Sequence, residues 1–284
     1  MTKLVPALQD YLTDLGLTPP NVLSLEFVQQ LQGRHVARHS FNSLSVVLGD
    51  ALPLDIASLS HKFVNRELGG YCFEHNKLTF ELLKALGYEV QLVLARVLNN
   101  RDISAPRTHR VTLLTLDGMR YLIDTGFGGH GPIAPLQLTP NLRQTAGQDR
   151  YQIATYETAY GMREYALQIE QEQALFTLYC FDLASYSDAD CELGHFYSHK
   201  HASAVFVNNL MASLKTPQRT VFLQNERLKI TTQGDMQMQR IDSAETLQRV
   251  LAEVFSIALE FVVAEHLFDR FISPKLAAEN RLES

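Results

Sequence analysis

Apolar positions recur every three or four residues through the first third of the chain. Leu8, Leu12 and Leu15 precede Gly16, and Leu25, Val28 and Leu31 precede Gly33, a spacing that lines one face of a helix. A third run, Leu78, Leu82, Leu83 and Leu86, stops at Gly87, a residue suited to closing a helix C-terminus. The pattern predicts a small helical domain ending near Gly87. From Glu89 the period changes to two, with Val90, Leu92 and Leu94 alternating against Glu89 and Gln91, and strand-like runs continue over 111–116 and 121–123. Between Leu116 and Met119 lies Asp117-Gly118, a dipeptide preferred in two-residue hairpin turns, so these strands are expected as antiparallel neighbours. Runs over 151–156, 163–169 and 175–181 extend the pattern to a barrel-like β domain. Past Leu193 the chain is mixed: 220–223 and 227–230 flank Gln224-Asn225-Glu226 as a hairpin, and Ser243 is an N-cap for helical periodicity reaching Ile257. The interval from Gly128 through Pro132 and Pro135 to Gln148 is the longest turn-rich stretch, of the kind that lines binding sites.

Composition narrows the function classes. A chain of 284 residues with 46% hydrophobic positions can build two or three compact units. Net charge is −6, and no basic run resembles a nucleic-acid footprint, so no nucleic-acid partner is expected. Cys72, Cys180 and Cys191 are an odd count without close pairing, which fits a reducing cytoplasm better than a disulfide framework. No signal peptide is evident in Met1 to Asp10, and the apolar stretch 250–268 is interrupted by Glu253, Glu260 and Glu265, so no membrane span is expected either.

The candidate chemistry centres on Gly69-Gly70-Tyr71-Cys72-Phe73-Glu74-His75-Asn76, where a glycine turn gives way to a helix. A thiol at a helix start meets unpaired N–H groups and the positive end of the dipole, conditions that favour a thiolate. A lone cysteine is more often a small buried hydrophobe, so reactivity requires a base and an orienting acid. Counting outward from Asp117-Gly118 places Asp124 opposite Val111 and makes His109 its diagonal neighbour on one face, roughly 7–8 Å away between backbones. A three-residue loop or a bulge would put the two on opposite faces. His75, three residues after Cys72, is the rival base, with Glu74 facing elsewhere; it reads more readily as an ordinary polar helix residue. Cys191, His195, His199 and His201 suggest a metal site, but their spacing matches no familiar zinc pattern, and a polar loop is the expected reading. Gly126-Phe127-Gly128-Gly129-His130-Gly131 allows close backbone approach to a ligand without forming a phosphate loop.

Together these residues resemble the arylamine N-acetyltransferases. The motifs that carry the resemblance are residues 69–76, Thr108-His109-Arg110-Val111, and Tyr121-Leu122-Ile123-Asp124-Thr125-Gly126-Phe127-Gly128; looser similarity covers most of the chain. The resemblance implies an α+β fold in three parts. A helical N-terminal bundle (1–88) would carry the nucleophile, a central β-barrel (89–195) the His and Asp, and residues 196–284 would form an α/β lid, around a cysteine-protease-like Cys-His-Asp core. It implies Cys72 as the acetyl-accepting nucleophile, His109 as base and Asp124 as orienting acid. Acetyl-CoA would be the co-substrate with no tightly bound cofactor or metal, and arylamines, arylhydrazines or N-hydroxyarylamines the acceptors. Phe41, Val97, Phe127 and Phe206 fall where the family lines its acceptor pocket, and Gly128 and Gly129 are expected at the CoA side. For Val97 and Phe206 plain core packing competes with that role.

Two departures stand out. Family members commonly carry Arg before the glycine pair and a Pro-Phe-Glu-Asn stretch upstream; here those places hold Leu68 and Ser40-Phe41-Asn42-Ser43. A basic and an acidic residue are missing together, as expected if they form an ion pair in relatives, because losing both partners costs less than losing one. Two other classes share features of this chain. A cysteine hydrolase or transglutaminase-like enzyme would use the same trio, and a metal- or ligand-binding protein would use Cys191 to His201.

Overall fold

The computed structural model describes residues 4–101, 103–158, 161–172 and 174–282. In chain order the N-terminal part holds α1 (Pro6–Asp14), α2 (Leu25–Arg38), β1 (Phe41–Asn42), α3 (Leu44–Val47), α4 (Ile56–Ser60), a π-helical turn (His61–Asn65) and α5 (Cys72–Leu86). Strands β2 (Glu89–Val97), β3 (Arg107–Leu116), β4 (Met119–Ile123), β5 (Leu136–Gln137), β6 (Gln144–Ala146), β7 (Asp149–Glu157), β8 (Arg163–Gln171) and β9 (Ala174–Phe181) follow. The C-terminal part comprises α6 (Asp188–Lys200), α7 (Val205–Asn208), β10 (Met211–Lys215), β11 (Arg219–Gln224), β12 (Arg227–Thr232), β13 (Asp235–Arg240), α8 (Ala244–Phe255), α9 (Phe261–Phe271) and α10 (Ser273–Leu282).

The helical periodicity becomes a core. Leu12, Leu31, Leu78, Leu82 and Leu83 are sealed from solvent with Tyr11 and Phe63, and Leu114 and Ile123 of the barrel complete the cluster. Burying each such leucine contributes about 1.5–3 kcal/mol. Gly87 ends α5 in the left-handed conformation (φ 95°), as the spacing predicts. The second helix departs from expectation. It passes through Gly33 to Arg38, because Val28, Leu31, Gln32 and His35 keep one buried face across the glycine, and it stops only at the extended His39.

Eight strands form the barrel in the order β5-β4-β3-β2-β9-β8-β7-β6. Val93, Val111, Leu113, Leu122, Ile153, Leu167 and Leu178 fill its interior. The two edge strands meet through one side chain. The Gln144 amide accepts from the Gln137 N–H at 2.7 Å and donates to the Gln137 carbonyl at 2.9 Å, imitating a ladder pair. The 128–148 interval therefore contains two short strands that nearly close the barrel.

The five-stranded sheet of the lid runs β1-β10-β11-β12-β13, so a two-residue strand from the helical part is its edge. Behind it, Leu210, Val221, Leu223 and Leu228 pack on Leu247, Leu251, Phe255 and Leu267 of α8 and α9. Ser243 caps α8 by accepting from the Thr246 N–H, as expected. The β11–β12 hairpin is tighter than the spacing suggested: Gln224 pairs with Arg227, leaving Asn225-Glu226 as the turn with Asn225 at φ 52°. Strand β13 escaped sequence reading because all six of its residues are exposed and no buried face imposes a period. Among the described residues no helix is long and apolar enough to cross a membrane.

The departure at positions 42 and 68 has a local explanation. The Asn42 amide donates to the Leu68 carbonyl at 2.7 Å and accepts from the Leu44 N–H at 3.0 Å, while the Leu68 side chain packs on the lid core. Asn42 thus serves backbone groups and offers no charge to a cation at 68. Leu68→Arg alone is expected to lower stability by about 1–2 kcal/mol. Adding Asn42→Glu should recover part of that loss, read from urea midpoints; a stabilised single variant would refute the ion-pair account.

Candidate active site

The start of α5 is built by its own first turn. The Glu74 carboxylate accepts from the Tyr71 N–H at 3.1 Å and pairs with Lys62 at 2.6 Å, tying the first turn to the residue that precedes Cys72. The glycine pair before it is seated on β1, with the Gly70 N–H donating to the Ser40 carbonyl at 3.2 Å and the Asn42 N–H to the Gly70 carbonyl at 2.6 Å. Gly69 lies at φ 59°, and a Cβ there would stand 2.0 Å from the Ser40 oxygen, so the approach requires glycine. Cys72 is buried, and its thiol donates to the Thr108 carbonyl at 3.5 Å, which brings the sulfur onto β3 beside His109.

The hairpin count is met by the structure. Leu116 pairs with Met119 and Thr112 with Ile123, so the register leads to His109 and Asp124 on one face. His109 Nε2 donates to Asp124 Oδ2 at 2.8 Å, and the Tyr179 hydroxyl donates to the same oxygen at 2.9 Å. The other oxygen accepts from the Asn76 amide at 2.9 Å and from the Gly126 N–H at 2.9 Å. Burial would raise the Asp124 pKa, but the His109 interaction and these hydrogen bonds outweigh it and hold the carboxyl below its ordinary value. With Nε2 committed to Asp124, Nδ1 is the basic nitrogen of the neutral imidazole.

Asn76 and Tyr179 were missed by sequence reasoning. Asn76 lies four residues beyond Cys72, one turn along α5 and therefore near its face. It donates to the Arg110 carbonyl at 2.7 Å and accepts from the Thr125 N–H at 2.9 Å, clamping β3 and the end of β4 to the helix. Tyr179 had no local signal, because it arrives only through the long-range β2–β9 pairing, opposite Val97. Gly126 belongs to the same joint: a Cβ there would fall 2.7 Å from the Asn76 amide nitrogen and 2.9 Å from the Cys72 Cα. The close approach expected of this glycine run is, at Gly126, to the Cys72 backbone.

Burial is the largest influence on Cys72 and pushes its thiol up; the Asp124 charge adds to this, while the N–H groups of Phe73 and Arg110 oppose it. An isolated thiolate is therefore disfavoured, and a negative sulfur is sustained only when a positive partner forms with it.

The aromatic residues expected around a pocket fall into two groups. Phe41 and Phe206 meet edge to face at 5.7 Å between ring centroids, and Phe206 meets Tyr71 at 5.5 Å. Phe127 stands edge-on to His109 at 5.3 Å and beside Tyr179 at 5.2 Å. Val97 is half-buried on the face it shares with Tyr179. Gly128 lies against Phe41 and Ser213, and Gly129 against Thr220, so both rest on the lid sheet.

His75, expected as an ordinary polar helix residue, is buried. Its Nδ1 bonds His35 Nε2 at 2.7 Å and its Nε2 the Gly70 carbonyl at 3.1 Å, so both nitrogens are occupied within the helical core. Burial, first of all, drives its pKa down to about 3. The Cys191–His201 stretch, expected as a polar loop, is helix α6, capped by Ser187. His195 turns inward, bonding the Tyr71 hydroxyl and, through Nε2 at 2.9 Å, the Leu52 carbonyl. Among the described residues no group of three or more His, Cys, Asp or Glu side chains is placed to hold a metal ion.

A family model described as N-acetyltransferase matches residues 24–263. The arylamine N-acetyltransferase / N-hydroxyarylamine O-acetyltransferase of Salmonella typhimurium is 30% identical over 74% of this chain and 73% of its own length. Among solved structures, the arylamine N-acetyltransferase from Salmonella typhimurium is similar with a TM-score of 0.87 at 25% identity, covering 95% of this chain and 100% of that one. The Mycobacterium marinum arylamine N-acetyltransferase in complex with CoA is similar with a TM-score of 0.86 at 26% identity, covering 93% and 99%. Sequence and fold agree over most of the length of the chain, which belongs to the arylamine N-acetyltransferase family.

Proposed function

We propose that this protein transfers the acetyl group of acetyl-CoA to the nitrogen of arylamines and arylhydrazines, or to the oxygen of N-hydroxyarylamines, through an acetyl-cysteine. The observation that carries the reading is the buried Cys72 thiol beside a His109 whose Nε2 is bound to Asp124. His109 Nδ1 takes the thiol proton, and the resulting imidazolium, steadied by Asp124, supplies the positive partner that a buried thiolate needs. The sulfur attacks the thioester carbonyl; first-turn N–H groups of α5 meet the developing oxyanion. The new Sγ–C bond forms, the C–S bond of CoA breaks, and His109 returns its proton to the departing thiolate. A neutral aromatic amine then attacks the acetyl carbon, its proton passes to His109, and Cys72 leaves as product forms.

Phe41, Val97, Phe127 and Phe206 are proposed to hold the flat acceptor ring. Gly128 and Gly129 are proposed to give acetyl-CoA close backbone approach. Beyond them the paired positions Ser213, Phe222, Lys229 and Met238 cross one face of the lid sheet, combining apolar surface with a cation suited to a phosphate-bearing chain. Three unpaired cysteines support a cytoplasmic location. The test is an initial-rate study at varied acetyl-CoA and arylamine with mass spectrometry of the acetyl-CoA-treated enzyme. Parallel plots and an acetyl adduct on Cys72, discharged by the amine, are expected. Intersecting plots without an adduct would refute the mechanism, and discharge independent of an amine would favour a hydrolase.

A further inference from the structure

Lys215, at the end of β10, is a buried cation that the chemistry above does not use; only 5% of its side chain is exposed. Its ammonium has three N–H donors and meets three acceptors: Asp149 at 2.6 Å, the Gly131 carbonyl at 2.6 Å and the Tyr151 hydroxyl at 2.9 Å. Asp149 and Tyr151 belong to barrel strand β7, whereas Lys215 belongs to the lid sheet, so the cluster joins the two sheets. The Tyr151 oxygen accepts from Lys215, and its own proton is left for the carbonyls of His130 and Gly131, at 3.0 and 2.9 Å. Lys215 and Tyr151 thus both bond the carbonyls of one turn, closed by the Gly131 N–H donating to the Gly128 carbonyl at 2.8 Å.

That turn is the continuation of the Asp124 segment. At its other end Gly128 rests on Ser213, two residues before Lys215 on the same face of β10, and Gly129 rests on Thr220, the register partner of Lys215. Phe127, between the turn and Asp124, stands against His109. Beside the segment lies a narrow cavity bordered by Val36, Phe41, Phe127, Ser213 and Lys215. What fixes it is the Asp124 hydrogen-bond set at one end, the Lys215 cluster at the other, and the buried Gln32 amide of α2, which donates to the Asp124 and Pro132 carbonyls at 3.1 and 2.8 Å.

We infer that Lys215, with Asp149 and Tyr151, is a positioning clamp that sets the turn 128–131 and with it the backbone that receives acetyl-CoA; this rests on the acetyltransferase reading for its substrate. Releasing the clamp loosens the turn without touching His109, Asp124 or Cys72, so donor binding weakens while the thiol keeps its reactivity.

The experiment compares Lys215→Met and Tyr151→Phe with the unmodified full chain in three measurements: amide hydrogen exchange over 126–132, the KM for acetyl-CoA against kcat, and the rate of Cys72 alkylation by iodoacetamide. Lys215→Met is expected to speed exchange over the turn and raise the KM for acetyl-CoA about tenfold, with alkylation changed less than about twofold. Tyr151→Phe removes one acceptor and one donor and should move the same quantities less; if Lys215→Met does not fold, it carries the test alone. Unchanged exchange and KM in a folded variant would overturn the inference, as would a fall in alkylation that matches the loss of turnover. If the unmodified enzyme forms no acetyl-cysteine, the acetyltransferase reading fails and the donor role falls with it. Exchange over 126–132, which needs no substrate, then decides separately whether the clamp holds the turn.

Discussion

Asp124→Asn is expected to lower kcat/KM by about 10³–10⁴ and stability by about 3–5 kcal/mol, two losses with one origin. The Asp124 side chain is sealed from solvent and faces donors only: His109 and Tyr179 on one oxygen, Asn76 and Gly126 on the other. A carboxylate can satisfy all four because both oxygens accept. An amide cannot, since towards Asn76 and Gly126 its NH₂ meets two donors and those pairs are lost without access to water, while towards His109 and Tyr179 the pairs survive only if both donors reverse and accept. For His109 the consequence is chemical as well. With an amide N–H against Nε2 the imidazole shifts its proton to Nδ1, and the nitrogen required as base is no longer basic. The corresponding change in the Ser-His-Asp triad costs about 10⁴ in turnover by this route, which sets the scale. Steady-state kinetics beside urea unfolding will check it; a folded variant within tenfold of the original kcat/KM would remove Asp124 from the proposed role.

Acid is expected to destabilise the enzyme well above the range where its carboxylates titrate. His35 and His75 are sealed in the helical core, where burial drives His75 to about 3 and His35 well below its ordinary value, helped in both by neighbouring histidines. The chain of bonds leaves them no reason to be charged. The Gly70 carbonyl can only accept, so His75 donates to it from Nε2 and accepts at Nδ1 from His35, whose Nδ1 accepts from Tyr11 at 2.6 Å. Unfolding releases both rings to pKa values near 6.5, so below that pH the unfolded chain binds more protons than the folded one. Stability from these groups is complete above about pH 6.5 and is lost as pH falls towards the folded values, by about 1.4 kcal/mol per pH unit for each ring. Between pH 6.5 and 5 His75 alone accounts for about 1.5–2 kcal/mol, and His35 adds to it in the same direction. Urea midpoints across this range measure the slope. His75→Gln, which preserves one donor and one acceptor, should lower the slope by up to about 1.4 kcal/mol per pH unit, the remainder belonging to His35 and to the other histidines lowered by burial, His39, His130 and His195; an unchanged slope would show that His75 is not the group that takes up the proton.

Features set by short-range periodicity and rigid turns were legible along the chain. The helix that opens at Cys72 and closes at Gly87 was legible because its apolar spacing and its terminator are both local. The placement of His109 and Asp124 on one face was legible because a two-residue turn at Asp117-Gly118 admits a single register, and strand alternation carries that register outward to both residues without further information. Family motifs then linked that face to Cys72 and supplied the order of the three parts of the fold. Contacts between residues that no periodicity relates emerged only in the folded chain. Phe41 and Asn42 form an edge strand of the lid, which no local period announces, because their partners lie in β10. The end of α2 was misjudged because Gly33 breaks a propensity while its neighbours still have a core to bury. His75 reads as an ordinary polar helix residue along the chain, but in the fold His35 and Gly70 absorb both of its nitrogens. Tyr179, Asn76 and Lys215 depend on groups brought from other elements, and a buried donor chooses its acceptor by proximity in space, about which spacing along the chain carries no information.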